Sequence, residues 1–208
     1  MPTPQSIVAN LELIANGTIA IAVAWHSLAL AALLALLLGW KPSRRAAGAL
    51  LETPIVSVSI VSFIYGNPFN GTLFALLALV LGGIAARLGR GRVHKGGPAA
   101  TLAGILMLAF GWLYPHFLDS HSAAIYLVAA PTGVIPCPTL SLSTGFALLA
   151  GGLGSRAWSV VLGGAGLFYG FFGVFRLGVP LDIVLVAGAA ALLVTTLGRQ
   201  ARALARPA

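Results

Sequence analysis

Glu52 and His26 are the two ionisable side chains that fall deep inside long apolar runs of this sequence. Each invites proton or cation chemistry. An ionisable group in hydrocarbon costs at least ~2.5–3.5 kcal/mol, so such residues face a bundle interior or a wet cavity. Glu52 is followed by Pro54 and by Ser57, Ser59 and Ser62. It is either a protonatable or cation-coordinating group beside a proline kink, or a carboxylate snorkelling toward Arg44 or Arg45. His26 has two readings as well: a neutral imidazole hydrogen-bonded to a neighbour, or a proton relay to Glu52 or metal or haem ligand. A haem held between membrane helices needs a facing pair of histidines, and His94 falls in a loop while His116 and His121 fall at the outer surface.

A second constellation follows three prolines. Pro131, Pro136 and Pro138 fall within eight positions and lead into Thr139, Ser141, Ser143 and Thr144, with Gly133 and Cys137 between them. Proline removes a backbone donor and clashes with the preceding turn, which predicts a non-helical break over 131–139 and a helix starting near Thr139. Broken backbone at membrane depth persists only where protein or water satisfies its polar groups. Free amide donors at the start of the next helix favour an anion or polar ligand held by Cys137, Thr139, Ser141 and Thr144. The same hydroxyls could instead bond neighbouring helices or their own backbone. No charged activator lies beside Cys137 in sequence, which gives a nucleophilic thiol no support. Just upstream, His116, Asp119 and His121 add ligand types suited to a soft or borderline transition metal, although their spacing is not a zinc signature.

The elements that must position these groups follow from composition. Of 208 residues, 59% are hydrophobic and 8% charged, with a mean hydropathy of +0.99. A soluble domain carries about 25% charged residues, so the chain is expected to be an all-α integral membrane protein. The net charge of +8 does not point to nucleic acid, because the basic residues punctuate apolar runs instead of clustering. One cysteine excludes an internal disulfide and a CxxC pair. Residues 1–15 lack a basic leader and carry Glu12, so no cleavable signal peptide is expected.

Seven spans are predicted, at about 17–40, 46–65, 72–88, 98–118, 139–154, 157–176 and 179–197. The fifth is short, which suggests that 123–130 dips into the bilayer as a re-entrant element and completes the crossing. Residues 1–16 read as an N-terminal arm, 17–198 as one transmembrane domain, and 199–208 as a basic tail. Of twelve Lys and Arg, only Arg176 falls outside the alternate set of loops plus tail. That asymmetry predicts an outside N-terminus and a cytoplasmic C-terminus. Arg176 and Asp182, across one tight turn, are expected to pair. Gly163, Gly166 and Gly170 form a small-residue stripe that serves packing on the last helix, a homodimer, or a partner in a membrane complex.

The run Gly133-Val134-Ile135-Pro136-Cys137-Pro138 opening a hydroxyl-bearing helix resembles the second-half motif of nickel/cobalt efflux proteins. Their His-rich first-half helix and downstream Asp-His pair are missing here. A longer similarity runs through Asn67-Pro68, Tyr114-Pro115, Ala130-Pro131, Gly133 and Pro136-Cys137-Pro138-Thr139. In these the chain resembles a group of small, uncharacterised bacterial multi-pass membrane proteins. That resemblance implies the topology and a bacterial inner membrane, and carries no activity with it. The functional expectation is a small transporter or channel-like protein for an ion or small polar solute, with its site at 131–144. The alternative is a non-catalytic subunit of a larger membrane complex, with a metal- or haem-binding protein third. No catalytic constellation is complete, and no particular cofactor is indicated.

Overall fold

Helices begin where the sequence supplies caps. In the computed structural model, which describes residues 3–120 and 122–204, the Thr3 hydroxyl accepts from the Ser6 amide and Pro4 opens α1 (Pro4–Gly17). After Thr18 the chain restarts as α2 (Ile19–Leu37). Ser43 caps α3 (Arg44–Ile64), and Asn67 with Pro68 starts α4 (Pro68–Arg87). These are the side-chain acceptors and first-turn prolines that helix N-termini favour. Then come α5 (Pro98–Leu113), the one-turn α6 (Tyr126–Ala129), α7 (Pro136–Leu149), α8 (Arg156–Phe171) and α9 (Ile183–Leu204). A wider turn, Phe172–Leu177, extends α8. No strand occurs among the described residues.

Five segments are long and apolar enough to cross a membrane: Ile19–Leu37, Arg44–Ile64, Pro68–Arg87, Arg156–Leu177 and Pro180–Gly198. α5 is apolar but has only 16 residues. The protein is a membrane-embedded helical bundle, with one end marked by Arg44, Arg87 and Arg156. Pro54 lies inside α3 and cannot donate to the Leu50 carbonyl. The Thr53 hydroxyl donates to that carbonyl instead, at 2.7 Å, so the lost bond is replaced within the helix.

At the centre stands α7. Twelve of its fourteen residues are buried, under α3, α5, α8 and α9. A helix wrapped by protein need not be uniformly apolar, which is why this one carries Thr139, Ser141, Ser143 and Thr144. Close approach of α5 depends on glycine: a Cβ at Gly111 would lie 2.6 Å from the Leu142 backbone nitrogen. The glycine stripe on α8 is taken up within the chain. Gly163 faces Leu193, Gly166 faces Ala189 and Gly170 faces Val186, all on α9.

Four boundaries differ from the sequence reading, and the first is the predicted span 98–118, whose helix stops at Leu113. Residues predicted as an N-terminal arm form α1, whose Leu11, Ile14 and Ala15 are buried. Its Asn10 amide donates to the Tyr65 carbonyl at 3.0 Å, and its Asn16 amide donates to that of Phe117 at 3.0 Å. A short amphipathic helix carries too few apolar residues to register as a span. The predicted start of the fifth membrane helix moves back from Thr139 to Pro136, because first-turn amides have no helical partner and their loss costs nothing there. The predicted tail begins as helix, since α9 runs on to Leu204; residues 205–208 lie outside the described residues.

Candidate functional site

The break between α6 and α7 closes on itself. Gly133 takes φ +78°, and its amide donates to the Thr139 hydroxyl at 2.7 Å. That hydroxyl donates in turn to the Ile135 carbonyl at 2.6 Å. Thr132 donates to the Gly111 carbonyl at 2.7 Å, and Ser141 to the Cys137 carbonyl at 2.8 Å. Every residue from 129 to 145 is buried. The hydroxyls thus serve the chain's own backbone, the second of the two roles read from sequence. Ser143 Oγ and Thr144 Oγ1 are the exceptions, buried with no partner among the described residues.

Beside the break lies a polar cluster that sequence reasoning missed. Asp182 is 1% exposed, and the Tyr114 hydroxyl donates to its Oδ1 at 2.7 Å. The Cys137 thiol lies nearby and donates to the Tyr169 carbonyl at 3.9 Å. Gly173 makes the room, since a Cβ there would overlap Oδ2. Nearby, the Tyr169 hydroxyl donates to Asn70 Oδ1 at 3.2 Å. The expected pairing of Asp182 with Arg176 is not formed: no ion pair joins them among the described residues. A carboxylate this buried needs fixed donors, and an interior phenol meets that need better than a long side chain at the membrane surface. The available signal was an acid directly after the Val179-Pro180 turn, facing a glycine on the preceding helix.

His26 is buried. Its Nδ1 lies 2.9 Å from the Ala22 carbonyl and its Nε2 3.0 Å from that of Trp112, with the two rings edge to face at 4.8 Å. A neutral imidazole donates through one of these nitrogens only. No hydrogen bond joins it to Glu52. His116 is half-buried and stacked on Phe117 at 4.2 Å. Burial holds its imidazole below the usual value, against a weaker upward pull from Glu12. His121 lies outside the described residues. Among those described, no group of three or more His, Cys, Asp or Glu side chains converges as a metal site would require.

Glu52 stands apart from all of these. It lies eight residues, about 12 Å, along α3 from Arg44, close to the middle of that helix. Its carboxylate rests against bare backbone on α4, where a Cβ at Gly82 would be 2.5 Å from Oε1. No hydrogen bond or ion pair reaches that carboxylate among the described residues. It opens instead onto a lateral groove between α2 and α3. One cavity of about 550 Å³ is lined by Trp25, Ala49, Glu52, Thr53 and Ser57 among others. A second of about 560 Å³, lined by Ala31, Ala32, Ala35 and Leu50, continues it toward Trp40. On α3 their lining runs from Ala49 to Ile64. Trp25 bridges the groove by donating from Nε1 to Ser57 Oγ at 3.0 Å, and its indole packs against Gly133 in the break.

No family model matches the sequence, and neither the curated proteins nor the solved structures include a significant match.

Proposed function

We propose that this chain is a non-catalytic, membrane-embedded subunit that binds a partner protein's transmembrane helix in the α2–α3 groove. One observation carries this reading: Glu52, half-open and without a partner among the described residues, lines the α2–α3 groove, whereas residues 129–145 of the broken element are buried. On α3 the lining spans Ala49 to Ile64, about four turns of helix, and small residues line the groove where backbones would approach. Photo-crosslinking amino acids at Leu50 and Val56, which line the groove, should capture a second protein in native membranes. The same probe at Leu79, exposed on α4, should not. Groove probes that capture only lipid, in a preparation that is monodisperse after mild extraction, would refute the subunit reading.

In this proposal the chain crosses seven times. α5 and the α6–break–α7 element supply the two crossings that fall short of a full span, and the basic end lies in the cytoplasm of a bacterial inner membrane. Reporters fused before Met1 and after Ala208 should read opposite sides; reading one side for both would require an even number of crossings.

A second reading, carriage of an ion or small polar solute past residues 131–144, is favoured by the unpartnered Ser143 and Thr144 hydroxyls beside the Asp182 cluster. Cys137 separates the two. As part of a packed subunit it should react with a small charged thiol reagent only after unfolding. A solute pathway would let it react in the folded protein, with protection by the solute.

A further inference from the structure

We infer that the partner helix bound at the α2–α3 groove carries a lysine or arginine near the middle of its own span, which pairs with Glu52; this rests on the docking proposal above. The inference starts from a charge that is left over. Glu52 has no donor within the described chain, and leaving a carboxylate in hydrocarbon without one is costly. A cation brought by the occupant would supply the missing partner, and it is the lone member of such a pair, left uncompensated out of water, that is strongly disfavoured.

The occupant can be narrowed from this chain's own inventory. A second copy does not fit, because no lysine or arginine lies within a span interior. Arg44, Arg87 and Arg156 stand at helix ends and Arg176 in the turn after α8, and the mid-span His26 is buried against two carbonyls. Phospholipid headgroups stay at the interface and do not reach a residue about 12 Å along the helix. A compact organic cation would want an open aromatic face. The indole of Trp25 is already committed in part, its N–H to Ser57 and its pyrrole side to Gly133, and no second aromatic ring is among the residues lining the cavity at Glu52 to complete a cage. What remains is a helix long enough to fill both cavities, small or slender where it meets Ala31, Ala32, Ala35 and Ala49, and basic opposite Glu52.

Designed single-span peptides test this directly. The full-length protein is reconstituted in lipid bilayers with a fluorescent Leu/Ala peptide bearing one central lysine, or with its central-leucine counterpart, and association is read by energy transfer. The lysine peptide is expected to associate about tenfold more tightly than the leucine peptide, a factor typical of one good polar contact between membrane helices. Glu52→Gln should remove that difference while leaving the melting temperature unchanged, and moving the lysine two turns toward either end should remove it as well. Equal, Glu52-independent binding of both peptides would overturn the cationic partner and keep helix docking. Binding of neither peptide would overturn both. If tetraphenylphosphonium binds in a Glu52-dependent manner while neither peptide does, the groove takes a small organic cation, and the inference fails. Self-association that neither peptide competes away would assign the groove to a second copy.

Discussion

Gly133→Ala is expected to lower the stability of the folded protein by about 3 kcal/mol, the sum of two separable costs. The first is conformational: Gly133 sits at φ +78°, where an L-residue loses ~1–2 kcal/mol. The second is steric, because the new Cβ would overlap the indole of Trp25. That ring cannot simply move aside, since its Nε1 is held by Ser57 at 3.0 Å. Overpacking of this kind costs ~1–3 kcal/mol, so the total is a large share of the ~5–15 kcal/mol that holds a typical domain together. Gly39 supplies the control. It also has a left-handed φ, +93°, with nothing within 4 Å of an added Cβ, so Gly39→Ala should show the conformational cost alone. Trp25→Ala should relieve part of the damage in the Gly133→Ala background. Equal melting points for Gly133→Ala and Gly39→Ala would show that the break does not rest on Trp25 at all.

That contact also marks where the sequence stopped being readable. The apolar runs gave α2, α3, α4, α8 and most of α9 to within a few residues, because lipid-facing helices must be apolar over nearly their whole length. The prolines at 131, 136 and 138 located the break, and the α8 glycines anticipated packing on α9. α1 was missed because Glu12 and its asparagines dilute a run that buries only one face. The largest error concerned accessibility. Hydroxyls at a helix start are compatible with a ligand or with the helix's own carbonyls, and composition cannot choose between them. Thr139 and Ser141 turned inward to Ile135 and Cys137. Glu52 was legible as an embedded acid, but whether it faced bundle or bilayer depended on Gly82 and α2, which only the fold brings beside it. Asp182 and Tyr114 stand 68 residues apart, and nothing local to either one announces the other.

The Asp182 cluster therefore offers a sharper test of the packed-core view than any residue chosen from sequence. Tyr114→Phe keeps the ring against Phe110 and Phe117 and removes only the hydroxyl that donates to Oδ1. A carboxylate left short of a donor at 1% exposure should cost about 1.5–3 kcal/mol. Asp182→Leu removes the acid together with its demand for donors, and it leaves the Tyr114 hydroxyl unanswered instead. Because the two residues share one bond, the double variant should be less unstable than the sum of the singles by more than about 0.5 kcal/mol. Gly173→Ala gives an independent check: it drives a Cβ onto Oδ2, so it should be severe in the native background and milder beside Asp182→Ala. The cluster joins the end of α5, the start of α7 and the turn before α9, all at the end of the bundle opposite Arg44. Loosening it should open that end, and Cys137 reports the opening directly. In Tyr114→Phe the thiol should become reactive toward a small charged reagent under conditions where the native protein stays unlabelled and both remain folded. Unchanged labelling alongside unchanged stability would mean that Asp182 is held by backbone packing alone.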